Sequence, residues 1–90
     1  MDVKMFEMAL IYGAYDYAKA TEIKSFMFET KRELKASLKD VLDGEETDLY
    51  KIEISVNLVD VDNDYENLTT DMICDIDYQM YLKHKEFIEN

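Results

Sequence analysis

Proline is absent from this 90-residue chain, and glycine occurs only twice, at Gly13 and Gly44. With so few breakers, long uninterrupted elements are expected. Cysteine occurs once, so Cys74 has no partner for an intramolecular disulfide. The first apolar run, Met5 to Tyr12, contains Glu7 and lacks both a basic start and a small-residue cleavage site, so it does not read as a secretion signal. No run approaches the roughly 18 apolar residues of a membrane-spanning helix. The reading is a reducing, cytoplasmic setting, where the sequon Asn67-Leu68-Thr69 has no use. Histidine also occurs once, at His84 between Lys83 and Lys85, and reads as a solvated side chain. Cys/His metal spacing and glycine-rich phosphate loops are missing too. Basic residues are scarce: ten stand against 21 acids.

What is present fits one globular domain spanning residues 1–90. The hydrophobic content of 48% is ordinary for a folded protein. A chain this short buries only roughly 60% of its unfolded surface, so it gains from oligomerising. The net charge of −11 is unevenly placed. Residues 19–39 hold six of the ten basic residues, whereas residues 40–78 carry thirteen acids against Lys51 alone. Such an acidic stretch repels itself, rejects nucleic acid and anionic membrane, and attracts a basic partner.

Residues 50–62, YKIEISVNLVDVD, alternate apolar and polar side chains, as a half-buried strand does. Residues 72–82, MICDIDYQMYL, alternate in the same way and are read as a second strand, although a helical face through Ile73, Ile76 and Met80 also exists. Joined by residues 60–71, the two make an antiparallel hairpin. Over residues 21–43, Ile23, Met27, Thr30, Leu34, Leu38 and Val41 fall on one helical stripe. Thr21 is then the N-cap and Gly44 the stop. The rival reading starts the helix at Thr30, with Thr30-x-x-Glu33 as capping box and 21–28 as a further strand. Residues 3–17 alternate but are apolar on both sides, so they form either a strand covered twice, one meeting another subunit, or a helix; Gly13 suggests a bulge. The expectation is an α+β fold: a small, mainly antiparallel sheet in the order β-α-β-β with one long helix packed on one face, assembled as a homodimer.

The loop DVDNDYENLTTD places Asp60, Asp62, Asp64, Glu66 and Asp71 at spacings similar to an EF-hand calcium loop. Tyr65 stands where that loop needs glycine, Asp71 replaces the bidentate Glu, and the flanks read as strands. The acids here are therefore read as a surface, with no metal or cofactor expected. Catalysis is not expected either: no carboxylate pair is singled out by an apolar pocket, and Cys74 reads as a small core residue. The seven tyrosines read as core and subunit interface, because the charge has the wrong sign for stacking on nucleic acid.

What remains is the carboxylate array as a partner-binding surface. Asp75 and Asp77 share a strand face, and Glu53 lies on the polar face of the neighbouring strand. Asp60, Asp62, Asp64, Glu66 and Asp71 extend it around the hairpin end. Asp40, Asp43, Glu45, Glu46 and Asp48 form a second group at the helix C-terminus, where they oppose the helix dipole. Duplex DNA carries one charge per roughly 1.7 Å of axis, and thirteen carboxylates on a domain about 30 Å long come within a factor of two of that density. In size, acidity and cytoplasmic character the chain resembles the small DNA-mimic inhibitors that bacteriophages direct against host DNA-binding proteins. The resemblance lies in charge rather than motif, so it carries over no individual residue. It implies a basic DNA-binding protein as partner, foremost a histone-like nucleoid protein of the HU type, met in the host bacterial cytoplasm. The alternative class is a structural or assembly protein that uses its Tyr-rich apolar surface; a calcium-binding loop protein is the third.

Overall fold

The computed structural model describes residues 1–89 as a four-stranded antiparallel sheet with two helices on one face. Strand β1 spans Asp2–Tyr12, β2 Glu22–Phe28, β3 Leu49–Asp60 and β4 Glu66–Asp77, in the spatial order β2-β1-β3-β4. Helix α1 spans Lys31–Asp43 and α2 Tyr78–Glu89, and single 3₁₀ turns occupy Tyr17–Lys19 and Val61–Asn63. No helix among the described residues is long and apolar enough to cross a membrane. The α+β class and the β3–β4 hairpin agree with the sequence reading.

The single long helix agrees only in part: a helix does pack on the sheet, but it is shorter and is joined by a second. Residues 22–28 form β2, paired with β1 from Phe6↔Phe28 to Tyr12↔Glu22. Helix α1 begins at Thr30, whose hydroxyl accepts from the Glu33 N–H at 3.2 Å. The rival capping-box reading is therefore the correct one, and Thr21 caps no helix. Gly44 does end α1, its N–H donating to the Val41 carbonyl at 3.2 Å. The second correction is at residue 78. Strand β4 stops at Asp77, whose carboxylate accepts from the Met80 N–H at 3.1 Å and so caps α2.

The core lies between the sheet and the helices. Met8, Leu10, Ile52 and Ile54 from the sheet meet Leu34, Leu49 and Tyr78, with Phe6, Phe28, Leu38, Val41, Ile76 and Leu82 around them. Tyr78 is fully buried; its hydroxyl donates to the Val41 carbonyl and accepts from the Glu46 N–H, both at 3.2 Å. That pair of bonds ties α2 to the end of α1.

The opposite sheet face is covered at one end by the chain itself. Gly13 adopts φ +87°, a left-handed conformation that needs glycine, just beyond a register shift at Ile11/Tyr12. The extra residue at that shift is Tyr50 on β3, and Gly13 lies in the turn beyond the end of β1, so the bulge expected at Gly13 falls on the neighbouring strand instead. From Gly13 residues 14–20 fold back across the sheet, and Ile11 and Ala9 are buried on the face away from the helices. The two-sided apolar pattern of β1 is satisfied within one chain, which removes it as a reason for dimerisation.

Two bulges in β4, at Ile73 and Leu68, shift its register against β3. Cys74 opposes Ile54 on the helix side, yet Met72 opposes Ser55 on the other side. Both are exposed, because β4 is an edge strand beyond the reach of the helices; Cys74 is not the core residue its alternation suggested.

Candidate partner-binding surface

The thirteen carboxylates do not form one array. The molecule is 51 Å long rather than about 30 Å, and the acids divide into three groups with Asp71 apart. A duplex of that length carries about thirty charges, so the density is below half of the DNA value.

The first group lies on the helix-free face. Lys51 stands opposite Asp77, and Glu53 opposite Asp75, across β3 and β4. Lys51 Nζ lies 2.8 Å from Glu53 and 3.7 Å from Asp75. The segment after Gly13 closes over them. Tyr15 donates its hydroxyl to Asp75 at 2.9 Å, and Tyr17 donates to Glu53. The Lys51 ammonium sits 4.6 Å from the Tyr15 ring centre and 5.8 Å from that of Tyr17, within cation–π range. Glu53 is thus engaged by the chain's own lysine and tyrosine. Desolvation and then the hydrogen bond to Glu53 push the Tyr17 hydroxyl up to about 12. The bond to Asp75 raises that of Tyr15, and the bond to Glu53 raises the Lys51 ammonium. These carboxylates hold a strap across the sheet, and Asp77 caps α2.

The second group is the hairpin tip. Asp60 accepts from the Asp62 N–H at 3.1 Å, and Asp64 turns the chain in a left-handed conformation. The Met1 ammonium pairs with Asp62 and lies 3.6 Å from Asp60, and the bond to Asp62 raises its pKa. Asp60 opposes Glu66 in the β3–β4 register, while Asp71 opposes Val56, four pairs away and on the helix side. The twelfth position of the would-be calcium loop is therefore drawn out along a strand, not folded back over the first. Among the described residues no group of three or more His, Cys, Asp or Glu side chains gathers to hold a metal ion.

The third group sits where α1 ends. Asp40 and Asp43 are exposed on its last turn, and Glu45, Glu46 and Asp48 occupy the loop to β3. Glu46 accepts from the Tyr12 hydroxyl at 2.7 Å, and Glu45 lies 3.7 Å from Lys85. Burial and then that bond raise the Tyr12 hydroxyl well above the ordinary phenol range. Among the described residues, no cation or hydroxyl meets the side chains of Asp40, Asp43, Asp48, Asp64 or Asp71.

The sequence reading missed Tyr15 and Tyr17 as parts of the acidic face, because their contacts join residues 60 and 36 positions apart, and it missed the pairing of Lys51 with Glu53 two residues on. It also missed Glu7 and Asn57. Asn57 is 4% exposed on the helix-free face and donates Nδ2 to Glu7 Oε1 at 2.8 Å. A polar residue on a half-buried strand reads as solvent-facing, and nothing local marks this one as buried. No protein-family model, curated protein or solved structure matches the chain.

Proposed function

We propose that this is a DNA-mimic binding protein, not an enzyme, acting in the bacterial cytoplasm. It captures a basic DNA-binding protein, foremost a nucleoid protein of the HU type, and keeps it from DNA. One observation carries the reading. The hairpin-tip acids and the α1-end acids bracket β3, whose twelve residues put the two groups roughly 35 Å apart at about 3.3 Å per residue. One turn of duplex DNA spans about 34–36 Å. A basic surface that tracks a duplex for one turn thus has acids to meet at both ends.

The test is a mobility-shift competition with a purified HU-type protein and duplex DNA at two salt concentrations. Wild type should release the DNA without binding it. Changing Asp43, Asp48, Asp60, Asp62 and Asp64 to Asn should weaken capture roughly ten- to a thousandfold, the sum of exposed pairs worth about 0.2–1 kcal/mol each. Undiminished competition by the variant, or indifference to salt, overturns the reading.

A second reading has its own support. Leu68, Met72 and Ile73 on β4 and Met80 and Phe87 on α2 are exposed apolar groups, from 45% for Leu68 to 81% for Phe87. They suit an assembly protein, and a homodimer would use them. Association of that kind resists salt and would give light scattering near twice 10.7 kDa.

A further inference from the structure

The helix-free face has a second polar centre, in the middle of the sheet and beside the tyrosine strap, where Glu7 faces Ser55 two residues along β3 from Glu53. Asn57 Oδ1 is buried and, among the described residues, has no donor. Its amide orientation is set by the Nδ2 group, which donates to Glu7 Oε1 at 2.8 Å and lies 3.7 Å from Met27 Sδ. A buried acceptor left unpaired costs about 1–3 kcal/mol, so the site favours a ligand that donates. No cation of the described residues pairs with the Glu7 carboxylate beside it. Three methionines surround the pair. Met5 faces Asn57 across β1 and β3, Met27 faces Glu7 across β2 and β1, and Met72 faces Ser55 across β4 and β3. Met27 and Met72 are 44% and 56% exposed, unbranched and easily moved.

An unpaired buried acceptor, an adjacent carboxylate without a cation and a movable thioether rim ask for one kind of group. It must carry positive charge, present more than one N–H and tolerate partial burial. Guanidinium meets all three conditions: it is planar, has five donors and is more weakly hydrated than ammonium. We propose that Asn57 Oδ1 and the Glu7 carboxylate form the receptor for one arginine side chain of the basic partner, entering between Met5, Met27 and Met72. This rests on the reading of the partner as a basic protein, and adds a specific anchor to a surface otherwise defined by diffuse charge.

The probe is the tripeptide acetyl-Gly-Arg-Gly-amide, titrated into the full chain and followed by NMR at the Asn57 side-chain amide. The lysine and citrulline counterparts are run alongside. A saturable Asn57 shift with the arginine peptide is expected, with affinity at least about tenfold weaker for citrulline, which keeps the shape and loses the charge. Glu7→Gln should weaken the arginine peptide on the order of ten- to a hundredfold, the range for a hydrogen bond to a charged group. Glu86→Gln, an equal charge change on exposed α2, should leave it unchanged. Met27→Arg supplies the guanidinium from the chain itself; it should abolish the peptide shift and raise the melting temperature. Equal response to arginine and citrulline, equal loss in Glu7→Gln and Glu86→Gln, or no movement at Asn57 overturns the proposal. If Glu7→Gln still captures the HU-type protein as wild type does while the five-Asn variant fails, the anchor is wrong and the mimic reading stands. If both variants capture it fully, the mimic reading fails whatever the peptide shows.

Discussion

Lys51 and Glu53, two residues apart on β3, point to the same side of the sheet and meet at 2.8 Å with side chains only 14% and 12% exposed. The pair is the floor on which the Tyr15–Tyr17 strap rests. Removing one partner leaves the other charge poorly hydrated, and breaking a buried pair costs about 3–5 kcal/mol. Some solvent reaches this one, so Lys51→Met should cost about 2–4 kcal/mol. The double variant Lys51→Met with Glu53→Met should recover much of that, because no charge is stranded. Urea denaturation measures both. A single variant within about 0.5 kcal/mol of wild type, an ordinary surface effect, would show that the pair is effectively solvated.

The strap should also open in alkali. The Tyr17 hydroxyl is held at about 12 by desolvation and the Glu53 carboxylate, above the ordinary value near 10. The folded state holds this proton more tightly than the unfolded chain does. Its contribution is therefore complete below pH 10 and is lost as pH rises through about 12. Melting temperature should fall across that window, and Tyr17→Phe should flatten the fall. Absorbance titration at 295 nm should show delayed ionisation of Tyr12, Tyr15, Tyr17 and Tyr78, all raised in the folded chain. Simultaneous ionisation of every tyrosine near 10, with the fold intact, would mean the strap is not closed.

Where sequence reading succeeded and failed has a physical reason in each case. Strand β3 was legible because its apolar–polar alternation is long, even though Ser55, Asn57 and Val59 on its second face are buried as well. The stretch at 21–43 misled because Ile23 and Met27 are four apart, a spacing that serves a helical stripe and a strand face equally well. Thr30 and Glu33 held the deciding signal, since a cap marks a start that periodicity cannot. The apolar alternation of Tyr78, Met80 and Leu82 ran on past the true end of β4; Tyr78, Tyr81 and Leu82 also fit a helical face, and Asp77 was its unrecognised cap. The β4 bulges left no trace in composition, so the side taken by Met72 was unreadable. Of the candidate surface, the identity of the acids was plain. That Glu53 and Asp75 serve the chain's own tyrosines depends on a fold-back that only the tertiary structure shows.

That fold-back depends on Gly13. At φ +87° a side chain is strained, and a Cβ there would lie 2.4 Å from Thr21 Oγ1 and 2.7 Å from its methyl. Gly13→Ala should cost about 2 kcal/mol or more, from the left-handed backbone and the clash together. Adding Thr21→Gly clears the contact but not the backbone, so it should restore only part. Thermal denaturation of the single and double variants separates the two contributions. A Gly13→Ala protein as stable as wild type would place the strap in another conformation.

The last prediction concerns whether the two end groups act together. Asp60, Asp62 and Asp64 lie at the hairpin tip; Asp40, Asp43 and Asp48 lie about 35 Å away at the other end of β3. If a single basic partner spans both, neutralising either triplet to Asn should weaken its capture. Three exposed pairs at about 0.2–1 kcal/mol each give a loss of about 1–3 kcal/mol, or roughly five- to a hundredfold. Groups this far apart share no contact, so the six-residue variant should lose the sum of the two effects. The salt dependence should flatten in two equal steps. Stability should respond differently at the two ends. Asp40 and Asp43 oppose the α1 dipole, so Asp40→Asn with Asp43→Asn should stabilise the protein by about 0.3–1 kcal/mol per site. The tip acids hold the Met1 ammonium, so their loss should bring no such gain. Competition assays at two salt concentrations, paired with thermal melts, read both quantities. If only one triplet matters for capture, the partner meets one end of the molecule, and the one-turn spacing has no part in recognition.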